Sequence, residues 1–325
     1  MRHRAWLWLL LVVAAFPAFA EEPDRRIAVT FDDLPWASLE PATPPTASGS
    51  IPPAIAEHYP RLLATLKQQK VPAVGFVNES RLLSKDQLQA DRVAMLEQWL
   101  DAGLELGNHT ASHLDLHQVG VDAYTRDILI GERHLRPMLA RRGQAPRWFR
   151  HPFLRTGRSA EEKVALGAFL EQHGYRIAPV TVTNSDWAWA AAYRNTLASN
   201  DADTQARLRR DYLAYMLMRV SYFERRSTTL LGYPLPQVLL LHANELNAAT
   251  FADLAAALRG RGYRFVSLEE AMQDPAYQRP DDYTGALGTS WLNRWAIAEK
   301  RSWTFYGGEP STANWVLELA GVASE

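Results

Sequence analysis

Apolar and polar positions along the chain alternate between two periods. Short runs rich in Val, Ile, Leu and Phe occupy 26–31, 73–77, 104–108, 147–150, 177–182, 238–242 and 264–267, and each reads as a strand. Between them lie stretches with helical spacing of apolar residues, at 54–70, 86–102, 121–142, 159–173 and 248–260. Gly103, Gly143, Gly174 and Gly262 each stand near the end of a helix-like stretch, just before a strand, where a helix-stopping glycine belongs. Strand–helix alternation of this kind implies a parallel sheet. Seven strands in series predict an α/β fold, a closed or nearly closed β/α barrel, with an open doubly wound sheet as the alternative.

Three stretches depart from that rhythm. Residues 34–53 are rich in Pro, Ser, Thr and Ala and separate the first strand from the first helix. Residues 190–236 form an insertion before the sixth strand, and their helical pattern with Met and aromatic residues predicts an added helical layer. The segment 275–325 carries Trp291, Trp295, Trp303 and Trp315 and reads as an extension packed on the barrel. At the other end, Arg2 and Arg4 precede an apolar run over 5–16, then Pro17 and Ala18-Phe19-Ala20. That is the pattern of a secretory signal peptide over 1–20, with an expected mature start near Glu21 and an uncleaved anchor as the alternative. The run falls short of the ~20 apolar residues of a membrane span, and no second long apolar stretch follows. The expected organisation is a signal peptide, a barrel domain over 21–274 and the extension; the expected location is periplasmic or secreted.

Composition narrows the chemistry. The 325 residues are 47% hydrophobic with a formal net charge of −1, so no basic excess is available to neutralise the phosphates of a nucleic acid. There is no cysteine, so a metal must be held by His, Asp or Glu and no thiolate nucleophile exists. Neither a G-x-S-x-G nucleophile elbow nor a Gly-rich phosphate loop appears.

Chemistry-bearing residues collect just after the strands. The first delivers Asp32 and Asp33, the third His109 and His113, the fourth Arg150, the fifth Asp186 and Trp187, and the sixth His242. In a β/α barrel these ends meet at one face, where active sites sit. His109 and His113, spaced i, i+4, would share one face of a helical turn, and Asp33 would complete a facial triad for a divalent ion. Two adjacent carboxylates then divide their tasks. Asp33 holds the ion, and Asp32 acts as a base kept ionised by the ion's charge. His242, as an imidazolium held by Asp186, would give a proton to a leaving amine; Arg150 would brace Asp32 through its fork. His151 reads as a wall residue, and His117 as a loop residue outside the ligand set.

Five short motifs, in order, resemble those of the polysaccharide deacetylase family, also called carbohydrate esterase family 4 or the NodB-homology domain. They are "TFDD" (30–33), "HTASH" (109–113), "RHPF" (150–153), "SDW" (185–187) and "LLH" (240–242). The resemblance implies a distorted (β/α)7 barrel and a divalent metal, usually Zn2+, sometimes Co2+ or Ni2+. It further implies a hydrolase that removes acetyl groups from a glycan, N-acetyl or O-acetyl. By the same resemblance Asp32 is the base, Asp33, His109 and His113 the metal ligands, Arg150 the brace, and His242 the acid tuned by Asp186. The same resemblance implies an oxyanion donor in the backbone N–H near Phe153 and substrate-binding roles for Phe153, Pro152 and Trp187. His151 departs from the usual R-P-P-[YF], and Thr183 stands where many members carry a further acid. The alternatives are the same chemistry on a non-sugar amide, or an inactive glycan-binding module.

Overall fold

The computed structural model describes residues 24–41 and 49–325. The expected signal peptide and mature start lie outside the described residues, as does part of the 34–53 loop. Seven parallel strands form the sheet: β1 (Arg25–Leu34), β2 (Ala73–Val77), β3 (Glu105–Asn108), β4 (Trp148–Phe149), β5 (Arg176–Ile177), β6 (Gln237–His242) and β7 (Tyr263–Phe265). They are ordered β5-β4-β3-β2-β1-β6, with β7 paired to the start of β1. Helices α1 (Pro53–Gln68), α2 (Ala90–Asp101), α3 (Leu116–Ile130) and α4 (Ala160–Gln172) connect the first five strands; α7 (Glu245–Gly260) links β6 to β7. The helical stretch expected over 121–142 is two pieces, because the chain turns at Gly131 before a short helix over Leu135–Ala140.

The strand expected over 177–182 is also divided. Ala178 N–H still donates to Phe149 of β4, but Pro179 has no N–H to continue the ladder. Beyond it, Thr181 and Val182 N–H both reach Val238 O, and a single parallel bridge joins Val182 to Leu239 of β6. The curled sheet thus meets itself across a broken strand, a distorted ring.

Side-chain alternation then sorts the core into two shells. On β1, Ile27, Val29 and Phe31 point outward and join Trp99 of α2 and Phe251 of α7. Ala28 points inward with Val74 and Phe76 of β2, Trp148 of β4 and Val238 of β6, and these fill the ring. The next inward positions up are Thr30, Asp32, His109, Arg150 and His242. The barrel floor is hydrocarbon, and its top layer is polar.

The insertion is helical, as expected, and begins earlier than 190: α5 (Asp186–Ala198) starts at Asp186 itself, and α6 (Ala202–Leu231) runs to Gly232, left-handed at φ 87°. The extension contributes α8 (Trp291–Ala298) and α9 (Asn314–Ala320), whose Trp291, Trp295 and Val316 enter the main core. No helix among the described residues is long and apolar enough to cross a membrane.

Candidate active site

Consecutive residues of a regular strand face opposite sides, so Asp32 and Asp33 should part company. They do not. The β1–β2 register shifts between Phe31 and Leu34, and Asp33 adopts φ 64°. This bulge turns the second carboxylate back into the cavity that the first already faces. Ten non-glycine residues have positive φ among those described, and four of them (Asp33, His113, Phe153, Leu154) line this cavity, with a fifth, Thr110, between its two histidines. Such conformations cost free energy and persist where the surroundings hold them, as at functional sites.

The cavity has a volume of about 580 Å³ and is lined by both aspartates, His109, His113, His151, Phe153, Leu154, Thr183, Asn184, Trp187, Leu240, His242 and Gly288. Asp33 Oδ1 lies 3.8 Å from His109 Nε2 and 3.7 Å from His113 Nε2. The triad is the one group among the described residues with metal-ligating atoms this close together. His109 and His113 are not on a helical turn, contrary to expectation. Their segment is irregular, with Thr110 at φ 67° and His113 at φ 53°, and it is this reversal that brings the rings to 4.9 Å.

The donor set fits a divalent cation. His109 Nδ1 lies 2.8 Å from the carbonyl oxygen of Arg150; a carbonyl only accepts, so Nδ1 carries the proton and Nε2 offers its lone pair. Burial lowers both His109 and His113 to about 4, the attraction of Asp33 notwithstanding, so both rings are neutral at pH 7 and could each offer a lone pair. Asp33 Oδ2 accepts from Arg81 Nη2 at 3.0 Å, whereas Oδ1, facing the two imidazoles, is buried without a hydrogen-bond partner. Burial would raise Asp33, but Arg81, His113 and His109 outweigh it and hold the carboxyl well below the usual range.

Nothing in the local sequence marks Arg81 as part of the site. This residue follows β2, whose end carries no pair of acids or histidines to mark it, and it also donates to Ala37 O at 2.7 Å and to Glu40 at 2.9 Å. The available signal was topological: β2 ends beside β1, so its loop must reach the same face.

Arg150 is fully buried, with its guanidinium 4.6 Å from the Phe76 ring centroid and Nη2 donating to Thr30 Oγ1 at 3.0 Å. Its nearest approach to Asp32 is 3.5 Å, and Asp32 Oδ1 and Arg150 Nη1 both lack hydrogen-bond partners. The expected fork on Asp32 is therefore a single ion pair, because Thr30 takes the other arm. Burial pushes Asp32 above the ordinary carboxylate range, opposed by the charges of Arg150 and His242.

Across the cavity, Asp186 is fully buried and accepts from His242 Nδ1 at 2.7 Å, His242 N–H at 2.8 Å and Asn247 Nδ2 at 2.8 Å. Tyr212 of the inserted α6 donates to Asn247 Oδ1 at 2.7 Å, so the added helical layer buttresses this dyad. Burial alone would lower His242, but the charge and hydrogen bond of Asp186, with Asp33 and Asp32 behind them, raise it to about 9. The Nδ1–H is committed to Asp186, which leaves Nε2 as the nitrogen free to meet a substrate.

At the rim, Phe153 (51% exposed) and Trp187 (42% exposed) are aromatic faces open to solvent, and Phe153 packs edge-on to His113 at 4.5 Å. Pro152 is buried and is not among the lining residues; His151 and Leu154 line the wall instead. His151 is buried, lowered to about 3 chiefly by burial, with Nδ1 3.2 Å from the Tyr124 hydroxyl.

Residues 20–177 match the family model described as polysaccharide deacetylase. No curated protein matches the chain. Among solved structures, a mutant of a CE4 family pseudoenzyme with restored enzymatic activity aligns at 18% identity and TM-score 0.50, over 77% of this chain and 68% of its own. The wild-type pseudoenzyme, from Bacillus anthracis, aligns at 18% identity and TM-score 0.50, over 77% and 66%. A family 4 carbohydrate esterase from Streptomyces lividans, in complex with acetate, aligns at 20% identity and TM-score 0.46, over 77% and 96%. At these identities the likeness is one of fold. Over its segment 20–177, just under half of its length, the chain is similar to the polysaccharide deacetylase family.

Proposed function

We propose that this chain is an exported, metal-dependent hydrolase that removes the acetyl group from an N-acetylated glycan. The observation that carries the reading is the convergence of Asp33 Oδ1 with His109 and His113 Nε2 at 3.7–3.8 Å, beside Asp32 and facing an Asp186-held His242 on one cavity. Asp33, His109 and His113 would hold the metal, most simply Zn2+; when bound, it activates water for attack and draws charge from an acyl oxygen. Asp32 takes the proton from the attacking water, and its ion pair with Arg150 keeps it aimed inward. The backbone N–H of Phe153 donates to the oxyanion. His242 then delivers a proton from Nε2 to the departing nitrogen while Asp186 holds its other side.

The acid sets the preference for N-acetyl over O-acetyl groups. An amine leaves poorly unless protonated, and a histidine raised to about 9 carries the needed proton at neutral pH. Phe153 and Trp187 offer stacking faces for a sugar ring. The basic and apolar leader at 1–20 supports export to where such glycans lie. An inactive glycan-binding module has no use for both a base and a held acid, which favours the enzyme.

The test is acetate release from N-acetylated chito-oligosaccharides by protein reconstituted with Zn2+. Turnover is expected in the wild type and lost on chelation. Tight oligosaccharide binding with no acetate released from the metal-loaded protein would move the assignment to a binding module.

A further inference from the structure

The C-terminal extension was expected only to pack on the barrel, yet one short piece of it touches two walls of the cavity. Gly288 lines the cavity, and a Cβ built there would meet the carbonyl oxygen of Phe153 at 1.7 Å. No side chain fits at that position, so the extension's backbone is pressed directly onto the rim loop. Six residues on, Arg294 is 1% exposed. Its guanidinium donates to Leu154 O, to Thr156 Oγ1 at 2.8 Å, to Asp281 Oδ2 at 2.8 Å and to Thr289 O at 3.1 Å. Asp281 Oδ2 also accepts from Thr156 Oγ1 and from Lys163 Nζ of α4, each at 2.8 Å.

The same piece also holds the broken strand. Trp291 N–H donates to Val180 O at 2.8 Å, and Ser290 Oγ to Thr181 O at 2.7 Å. These are carbonyls that a continuous ladder would have satisfied, next to the break at Pro179.

The held loop needs an external restraint. Phe153 and Leu154 sit side by side at φ 55° and φ 53°, a left-handed pair of non-glycine residues. A left-handed conformation is unfavourable for a residue that carries a side chain, and it relaxes unless its surroundings forbid it. Here the restraint is Gly288 against the Phe153 carbonyl and Arg294 on the Leu154 carbonyl.

We infer that segment 288–294 of the extension, with Asp281, is a positioning clamp of the active site, fixing the Phe153–Leu154 loop for turnover. The inference rests on the deacetylase reading for its effect on catalysis, while the clamp itself is measurable without it. Arg294 and Asp281, which do not line the cavity, act through the loop, and Gly288 does so by its close approach to the Phe153 carbonyl.

The test compares full-length wild type with Gly288→Ala, Arg294→Met and Arg294→Lys, each loaded with Zn2+. Amide hydrogen exchange over 152–156 is expected to quicken at least tenfold relative to the strands, with metal content unchanged. On N-acetylated chito-oligosaccharides kcat should fall by about 100-fold, the scale of an ångström-level misplacement, with a smaller rise in KM. Arg294→Lys keeps the charge without the fork and should fall between wild type and Arg294→Met, which also guards against a Met variant that fails to fold. Unchanged exchange over 152–156 in folded variants would overturn the clamp. So would wild-type kcat per folded molecule with only a lowered melting temperature. A wild type that releases no acetate counts against the deacetylase reading alone; the exchange measurement then decides the clamp.

Discussion

His109 and His242 look onto one cavity from inward positions at the ends of β3 and β6, yet their environments drive them apart. His109 is lowered to about 4 because burial dominates and its Nδ1 meets only a neutral carbonyl. His242 is raised to about 9 because its Nδ1 meets the buried carboxylate of Asp186. A neutral imidazole is what a cation needs, and a charged one is what a leaving amine needs. One partner atom behind each ring decides which it becomes. On the proposed deacetylase reading, the side of Asp33, His109 and His113 is the one suited to hold a cation, and the opposite side the one suited to deliver a proton.

The largest effect should follow from removing a member of the binding side. Asp33→Ala or His113→Ala is expected to abolish Zn2+ retention and turnover together, checked by metal analysis of the purified protein. Retention of a full equivalent of metal by either variant would dissolve the division between the two sides.

Next in size is the proton-delivering side. His242→Ala and Asp32→Asn should each lower kcat by about 10²–10⁴-fold while metal content stays at the wild-type level. Arg81→Ala sharpens the contrast from behind the metal ligand. Asp33 would lose the partner that fixes its second oxygen, and Zn2+ affinity in a competition titration should fall about 10–100-fold. His242→Gln should leave that affinity within a few-fold.

The smallest effect is on stability against pH. The folded-state value of His242, about 9, lies above the ordinary 6.5 of histidine, so its proton stabilises the fold. In metal-free protein the advantage of wild type over His242→Gln should be fully present below about pH 6.5 and lost as pH rises through about 9. Melting temperatures of the two proteins across that range would show the gap closing. A gap that widens with rising pH would mean His242 is neutral in the fold.

The contrast also marks what could be read along the chain. Strand ends rich in acids and histidines pointed to one face, and the structure does place Asp32, Asp33, His109, His113, Trp187 and His242 on one cavity. The run "VLLLH" could not say which of its leucines faces the ring; only the pairing of β6 with β1 sets Val238, Leu240 and His242 inward. Arg81 was missed because nothing local distinguishes it from a surface arginine. The i, i+4 spacing of His109 and His113 suggested a helical turn, but the left-handed Thr110 and His113 deny one. The 177–182 strand read as continuous although Pro179 breaks its ladder, and the repair comes from Trp291 and Ser290 over a hundred residues away.

By itself the sequence determined the strand–helix alternation, the parallel sheet and the roster of groups able to do the chemistry, because periodicity and residue type are local properties. Only the tertiary structure decided which groups share a cavity, which imidazole is neutral and which charged, and that a distant extension grips the rim. Those outcomes depend on burial and on partner atoms brought in from remote parts of the chain, and a one-dimensional pattern carries neither.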